Sequence, residues 1–345
     1  MVRHQVSGNW RIGALLAAAT MLLWSSLPVA LDIALEVMDP FTLTWYRFLA
    51  AGLVSASWLV SSGRVRRYAN VSRGGWWLLG VAALALTSNY VLYLMGLART
   101  SPGNIQVIIQ LGPVFLALGA MLVYGERYSR MQWIGFVTLL AGLGIFFHDQ
   151  IAVLAGDIGS YAGGVALIAL AAAVWAAYAL AQKQILSELS SPLIMLFIYA
   201  AATMLLAPLA SPSRLLALDW VHGLAVAYCA FNTLAAYAAF SEALNHWEAS
   251  RVGAILALTP LGTLTVVGLL AGAWPGHVSP ENISVAGLFG ALIVVAGSMT
   301  TSLGARRRRT APHAVSACEE PGPAGSGASG YDENETRETA NVRRA

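Results

Sequence analysis

The fold is decided by two stretches of sequence, GNIQVIIQLGPVFLALGAMLVY (103–124) and RVGAILALTPLGTLTVVGLLAG (251–272). Each is apolar and long enough to cross a bilayer as an α-helix, which takes about 20 residues. Each carries a proline at the same relative position, Pro113 in the first and Pro260 in the second. We therefore interpret the two stretches as copies of one membrane span, in a chain whose hydrophobic pattern runs twice.

The composition places the whole chain in a membrane. Hydrophobic residues make up 57% of the 345 residues and charged residues only 11%, whereas about a quarter of a soluble domain is charged. A water-soluble protein of this size could not cover its surface with so few charges. We therefore predict an all-α, multi-pass integral protein of the cell inner (plasma) membrane, because spanning segments must satisfy their own backbone hydrogen bonds.

Ten transmembrane helices are predicted, in two groups of five. They are 11–31, 41–61, 75–97, 103–124, 131–147, 158–181, 192–210, 219–241, 251–272 and 284–303. The fifth and seventh are short and could be tilted or partly broken. The corresponding segments are a cytoplasmic N-terminus (1–10), a first five-helix repeat (11–147), an external connector (148–157), a second five-helix repeat (158–303) and a disordered cytoplasmic tail (304–345).

Positive charges predict the orientation of these spans. With the N-terminus inside, the opposite side has only two cations, Arg99 and Arg214, beside several carboxylates. The cytoplasmic segments then carry Arg3, Arg11, Arg64, Arg66, Arg67, Arg73, Arg127, Arg130, Lys183, Arg251 and the run Arg306 to Arg309. This asymmetry is the positive-inside pattern and predicts that both termini are cytoplasmic. Such an arrangement requires an even number of spans.

Ordered matches between the two groups indicate an internal repeat. Residues that match at one constant shift are Tyr90 with Tyr237, Leu97 with Leu244, Pro113 with Pro260 and Gly125 with Gly272. The first and sixth spans match through Trp24 and Trp175, and the turns after them through Pro40 and Pro192. An odd number of spans in each repeat forces opposite orientations, which predicts two inverted-topology repeats, as in alternating-access transporters.

Glycines at regular spacing indicate close helix packing. Gly135 and Gly142, and likewise Gly290 and Gly297, lie seven residues apart on one helix face, and a further pair, Gly268 and Gly272, forms a GxxxG motif. Small residues in such rows let helices approach closely in a membrane. We interpret these glycines as packing positions rather than as substrate contacts.

Three segments resemble the drug/metabolite transporter superfamily, EamA type. They are LLWSSLPVALDIALEVMDPFTLTWYRFLAA (22–51), GLARTSPGNIQVIIQLGPVFLALGAMLVYGERYSRMQWIGFVTLLAGLGIFF (96–147) and ALNHWEASRVGAILALTPLGTLTVVGLL (243–270). The second half departs from the family pattern at 273–277, where a longer connection replaces a glycine-glutamate turn. The resemblance implies ten helices in two inverted repeats around a central cavity. It also implies export or uptake of amino acids and other small metabolites.

Polar and aromatic side chains inside the spans are the candidate substrate contacts, because polar groups are costly in a bilayer. The candidates are Trp24, Asn89, Tyr93, Gln106, Gln110, Trp175, Tyr178, Asn232 and Tyr237. Amides offer donors and acceptors together and suit a zwitterionic solute, so we expect a polar belt in the outer half of the cavity. The alternative is that the amides only bond neighbouring helices.

Two pairs of candidates have competing interpretations. Trp24 and Trp175 could bound the cavity at its two ends, or could face lipid. Pro113 and Pro260 each remove a backbone hydrogen bond in mid-helix and favour a kink. Such kinks could be hinges or could be static, and the sequence leaves both readings open.

Two ionisable residues complete the set of candidates. We expect Arg47, the one cation well inside a predicted span, to extend outward to Asp39 or Glu36 rather than to bind substrate. Glu242 is a candidate for proton coupling, although coupling could also be absent.

The sequence favours a secondary transporter over other classes. HExxH, GxSxG and Walker sequences are absent from it, so an enzyme is not expected, and nothing suggests the ring of filter groups of a channel. A non-transporting sensor or structural protein on the same fold is the hardest alternative to exclude. We predict alternating-access transport, in the efflux direction, of a small polar or amphipathic metabolite. No cofactor, metal or nucleic acid is expected; the partners are the solute and the bilayer, and a homodimer stays open.

Overall fold

The computed structural model describes residues 9–125, 127–153, 158–281 and 283–304, and all regular structure in these ranges is helical. The α-helices are α1 (Trp10–Leu35), α2 (Pro40–Ser61), α3 (Arg73–Leu97), α4 (Pro102–Ile108), α5 (Leu111–Tyr124), α6 (Arg130–Val153), α7 (Ile158–Ile185), α8 (Ser191–Leu206), α9 (Trp220–His246), α10 (Ala249–Leu256), α11 (Thr259–Ala273) and α12 (Val285–Leu303). Short 3-10 helices occupy Arg64–Asn70 and Pro212–Ala217.

Most of these helices can cross a membrane. In the described ranges 8 helical segments are long and apolar enough, when α4 with α5 and α10 with α11 are each counted as one segment. The number rises to 9 if α2 and Arg64–Asn70, which meet at 91°, form one span. The remaining apolar helix, α8, has 16 residues, fewer than the roughly 20 that span a bilayer upright. The chain is thus an all-helical integral membrane protein, and the predicted count of ten spans stays a prediction.

The fourth and ninth predicted spans are each divided into two helices. The first divides between α4 and α5, just before Pro113, and the second between α10 and α11, just before Pro260. Because a proline cannot donate the backbone hydrogen bond of the preceding turn, both interruptions have the same local cause. The helix is thus interrupted near both prolines, and a kink at each stays a prediction.

Several predicted boundaries differ from the observed ones. The fifth span is not short: α6 has 24 residues and runs into the predicted connector 148–157, because residues 148–153 include no glycine or proline. The seventh, α8, ends at Leu206 rather than at residue 210. Residues 154–157, 1–8 and 305–345, which hold parts of the predicted connector, N-terminus and tail, lie outside the described residues.

Side-chain caps set where several helices begin. Asp39 precedes Pro40 at the start of α2, and its Oδ1 accepts hydrogen bonds from the backbone N–H groups of Phe41 and Thr42, both at 3.0 Å. Asp219 caps α9 in the same way, and Ser72 caps α3 through the N–H of Gly75. Such caps satisfy N–H groups that have no partner within the helix.

The outer faces of the bundle are apolar. Leu122, Met204 and Trp77 expose 88%, 78% and 74% of their surface. The buried groups, by contrast, include asparagine, glutamine, threonine and one arginine. This inside-out distribution is expected where lipid replaces water around a protein.

The main helix pairs join the two halves of the sequence. α1 packs on α9, α3 on α7, α2 on α8 and α6 on α12. Two weaker pairs also join the halves, α5 on α7 and α1 on α11. If each of the first five predicted spans is replaced by its match among the last five, and the reverse, the same set of helix pairs results.

Glycines decide how closely α6 and α12 approach. A Cβ added to Gly142 would lie 2.6 Å from the backbone nitrogen of Val294, and one added to Gly297 would lie 2.4 Å from that of Leu139. The predicted packing role is therefore confirmed for this helix pair, called here the α6–α12 seam. For Gly268 and Gly272 it is wrong, because a Cβ there would meet no atom of the described residues within 4 Å. Spacing alone does not show which face meets a neighbour.

Candidate central site

Aromatic side chains from four helices meet in the middle of the bundle. Tyr90 of α3, Tyr178 of α7, Tyr199 of α8 and Tyr237 of α9 are mutual neighbours, and we call them the central tyrosine cluster. The Phe48 ring packs against Tyr90 and Tyr199, with centroid distances of 4.6 and 5.7 Å. Two of the four residues, Tyr178 and Tyr237, are sequence-predicted candidates.

Tyr90 and Tyr237 are matched residues of the two halves, and their side chains are close neighbours. They come from α3 and α9, the predicted third and eighth spans. The two halves therefore meet through equivalent side chains at the centre of the bundle. The sequence indicated the match but not the contact.

Arg47 extends inward, so the predicted outward reach to Asp39 or Glu36 is wrong. Only 3% of its surface is exposed. Its Nε donates to Thr233 Oγ1 at 3.1 Å, and its guanidinium carbon lies 4.7 Å from the centre of the Tyr90 ring. The rotation of α2 in the bundle directs this side chain toward α3 and α9, which one helix sequence does not fix.

Trp24 forms an aromatic wall with α9. Its ring lies 5.7 Å from that of Tyr237, in an edge-on arrangement, and 5.7 Å from that of Phe240. Its matched residue Trp175 packs beside Gly112, where an added Cβ would lie 3.3 Å from the indole ring. Both tryptophans are partly buried, and their predicted role as the two ends of a cavity stays a prediction.

The predicted amides bridge helices through their nitrogens. The Nδ2 of Asn89 donates to Ala171 O at 2.8 Å, and the Nε2 of Gln106 donates to Trp24 O at 2.8 Å. Gln110 Nε2 makes a long contact of 3.5 Å with Ala257 O. The amide nitrogens therefore bond neighbouring helices, which is the alternative to substrate binding that the sequence left open. A role of the same amides in substrate binding stays a prediction.

Asn232 differs from the other amides. Its Nδ2 donates to Leu23 O at 2.7 Å and to Tyr228 Oη at 3.2 Å, which ties α9 to α1. Its Oδ1 is buried and accepts no hydrogen bond from the residues that the structure describes. Buried acceptors without a partner are rare, so this oxygen is available to a ligand donor.

The remaining candidates are Tyr93, Tyr178 and Glu242. Tyr93 is partly exposed on α3 and neighbours Arg47. Tyr178 is buried, with its hydroxyl 3.4 Å from Met195 Sδ. Glu242 lies near the end of α9, is exposed, and pairs with His246 at 3.1 Å. Its coupling role stays a prediction.

One polar group at the end of α1 was missed by sequence reasoning. His222 Nδ1 lies 2.8 Å from Asp219 Oδ2, and its Nε2 lies 3.2 Å from Glu36 Oε2. These contacts join the last turn of α1 to the first turn of α9. The histidine follows the Asp219 cap by three residues, a spacing that could have indicated the first contact but not the second.

No metal centre is visible in the described part of the chain, where no group of three or more His, Cys, Asp or Glu side chains could hold an ion. The centre instead offers one guanidinium, phenol hydroxyls, an amide oxygen and aromatic faces. Such groups bind organic solutes without a covalent step.

A model of the EamA-like transporter family matches residues 11–147 and 162–303. The uncharacterized inner membrane transporter YhbE of Escherichia coli is 36% identical over 86% of this chain and 92% of that protein. An uncharacterized transporter of Haemophilus influenzae is 31% identical over 85% of this chain and 95% of its own length.

Two further likenesses are more distant. A probable amino-acid metabolite efflux pump of Salmonella typhimurium is 24% identical over 86% of this chain and 96% of that protein. One crystal structure matches with a TM-score of 0.58 and 22% identity, over 84% of this chain and 96% of the other, which shows a shared fold. The family and the names of the relatives point to a transporter rather than an enzyme. This chain belongs to the EamA-like transporter family and is a multi-pass protein of the inner membrane.

Proposed function

We propose that this protein is a secondary transporter that exports a small polar or amphipathic metabolite by alternating access. Its two halves are inverted repeats of five spans each, with both termini in the cytoplasm. The solute binds at the centre of the bundle, between Trp24, Arg47, Asn232 and the central tyrosine cluster.

The directions of matched helices support inverted repeats. Near the start of α2, Tyr46 Oη donates to Pro212 O at 2.6 Å, beyond the end of α8. Past the other end of α2, Tyr68 Oη donates to Leu193 O at 2.5 Å, at the start of α8. The matched prolines Pro40 and Pro192 therefore lie at opposite ends of this helix pair, as a repeat inverted in the membrane requires.

The contact between Tyr90 and Tyr237 carries the proposal. Transporters built from inverted repeats bind substrate near the bilayer midplane, where the repeats meet. Here equivalent side chains of the two halves meet beside a buried cation, and α9, which carries Tyr237, also carries the unpartnered amide oxygen of Asn232. The interrupted fourth and ninth spans flank this centre and supply two places where helices can bend.

The solute class draws on the Salmonella relative, whose name describes amino-acid metabolite efflux. A guanidinium, an amide acceptor and aromatic faces together suit a solute with one polar end and one apolar end. Export is proposed on the same ground, since the relative is named a pump for efflux.

Purified protein in proteoliposomes tests the function. We expect labelled amino-acid-like solutes to cross the membrane of these vesicles faster than that of protein-free vesicles, at a rate that saturates with solute concentration. The same assay with an imposed pH gradient measures whether transport is coupled to protons. The control is the Gly142→Leu variant, which should not assemble the α6–α12 seam. Absence of saturable flux across a broad solute panel would favour the sensor or structural alternative.

Accessibility labelling tests the inverted repeats separately. Cysteines at positions 40 and 192, in a protein whose Cys229 and Cys318 are serine, should react with an impermeant reagent from opposite sides of the membrane. Labelling of both positions from one side would rule out the inverted arrangement.

A further inference from the structure

Arg47 is a buried cation without a buried anion. In the part of the chain that the structure describes, no carboxylate lies within 4 Å of its guanidinium. Its one hydrogen bond there runs from Nε to Thr233 Oγ1. A guanidinium carries five N–H donors, so the two terminal nitrogens keep their donor capacity.

The surroundings of Arg47 compensate its charge only in part. The Tyr90 ring lies under the guanidinium at 4.7 Å, a cation–π contact that is favourable but weaker than a full ion pair. Thr233 Oγ1 also donates to Cys229 O at 2.8 Å, which orients its lone pair toward Arg47. A cation in a membrane interior usually pairs with an anion or lines a substrate path, and the described residues place no such anion beside Arg47.

The groups around Arg47 are suited to an anion. Tyr93 and Tyr199 lie close to it, in addition to Tyr90, and phenol hydroxyls donate hydrogen bonds. The planar fork of a guanidinium matches the two oxygens of a carboxylate. The Trp24 ring packs against Tyr237 and Phe240, and these rings offer apolar surface for the body of the same solute.

We propose that Arg47 binds the carboxylate of the transported solute, which is therefore a monocarboxylate with an apolar body, amino acids included. The assignment rests on the proposed transport function and narrows it. Arg47 would then be the residue that gives the site its selectivity for carboxylates over neutral analogues of the same shape.

Ligand binding by purified protein in detergent tests this inference without transport. The probes are 3-phenylpropionate and L-phenylalanine, each compared with its carboxamide, and the readouts are tryptophan fluorescence and ligand-induced thermal stabilisation. Wild-type protein should bind each carboxylate about 30-fold or more tightly than its amide, as buried charge pairs allow. Equal affinity for acids and amides, or binding of neither acid, would overturn the proposal.

Three variants assign the preference to one residue. Arg47→Gln should lose at least about 30-fold in affinity for the acids and bind the amides as before. Arg47→Lys, which keeps the charge without the fork, should recover part of the acid preference. Arg99→Gln removes an exposed arginine at the outer end of α3 and should leave both affinities unchanged.

The outcomes separate this inference from the transport proposal. A folded Arg47→Gln protein that still prefers acids would reject the role of Arg47, whatever the flux. If Arg47→Gln fails to fold, Arg47→Lys decides, since an acid preference equal to that of the wild type would exclude bidentate recognition. Acid-selective binding without flux in proteoliposomes would instead retain the site and reject the transporter.

Discussion

The α6–α12 seam and the central tyrosine cluster bring helices together in opposite ways. At the seam, glycines let one backbone lie against the other, with Gly142 facing Gly290 and Val294. At the centre, rings and one guanidinium separate the helices, as where Phe48 lies between Tyr90 and Tyr199. Both regions are buried, but backbone fills the first and large side chains fill the second.

This difference indicates which region can change shape. Backbone atoms in contact cannot yield without separating whole helices, whereas aromatic and arginine side chains can change rotamer. We therefore expect the seam to stay fixed during a transport cycle and the centre to rearrange around the solute.

Adding a methyl group to the seam should have the largest effect. Gly142→Ala places a Cβ 2.6 Å from Val294 N, and backbone must move to accept it. We expect a loss of about 1–3 kcal/mol in unfolding free energy, as for other overpacked cores. Thermal unfolding in detergent measures this loss.

Gly144→Ala is the matched control, two residues away on the same helix. A Cβ there meets no described atom within 4 Å, so the change should be within about 1 kcal/mol and in the stabilising direction, because alanine favours helix. Equal destabilisation by both variants would show that α6 and α12 are not in close contact at Gly142.

Removing an aromatic face from the centre should have a smaller effect, on solute handling rather than on stability. Trp24→Ala loses ring contacts with Tyr237 and Phe240, each at 5.7 Å. An aromatic contact contributes about 0.5–1.5 kcal/mol. If the solute packs on the Trp24 ring as proposed, losing one such contact should raise the KM for transport about 2- to 12-fold. Trp175→Ala should act in the same direction.

Trp77→Ala is the comparison variant, because the Trp77 ring is 74% exposed on the outer face of α3. It should leave KM unchanged. If Trp24→Ala and Trp175→Ala both retain wild-type kinetics in correctly inserted protein, the two tryptophans do not bound the solute site.

The smallest effect concerns Glu281, which connects the loop before α12 to α4. Its Oε1 accepts from the N–H of Gly103 at 2.6 Å. Burial raises the pKa of Glu281 above its usual 4.5, although the hydrogen bonds from Gly103 and Ser101 oppose the shift. A raised carboxyl pKa favours folding fully below pH 4.5, and this contribution is lost as the pH rises through the folded-state pKa.

Glu281→Gln removes this titration and keeps an oxygen for Gly103. Its Tm should therefore fall less than that of the wild type as the pH rises from 4.5 to 7. If the Tm profiles of the wild type and the variant run parallel over this range, the Glu281 carboxyl has the same pKa in the folded and the unfolded protein. A clear difference would show that the buried contact between Glu281 and the start of α4 is part of the folded structure, as the α6–α12 seam is.

Hydropathy and local signals predicted the helical fold well. Long apolar runs placed the helices because lipid exposure demands them, and Pro113 and Pro260 located the two interruptions because their backbone effect is local. The length of α6 was underestimated because the polar residues after Phe147 do not themselves end a helix.

The site was predicted in part, since residue types follow from sequence but their neighbours do not. Tyr237 and Trp24 were identified from type and position, and they are in contact. Arg47 was assigned the wrong direction because a long side chain can reach either way until the rotation of α2 is fixed. Likewise, Gly142 and Gly268 belong to regularly spaced glycine pairs and were given the same packing role, and only the helix opposite distinguishes them.

The main helix pairs all join one sequence half to the other, and this has a consequence for how the protein is assembled. α2 and α8, for example, share hydrogen bonds near both of their ends, through Tyr46 and Tyr68. A five-helix fragment alone would expose to lipid the polar and small surfaces that its missing counterpart covers. The two fragments, made as separate polypeptides in one cell, should therefore be degraded singly and persist only as a complex.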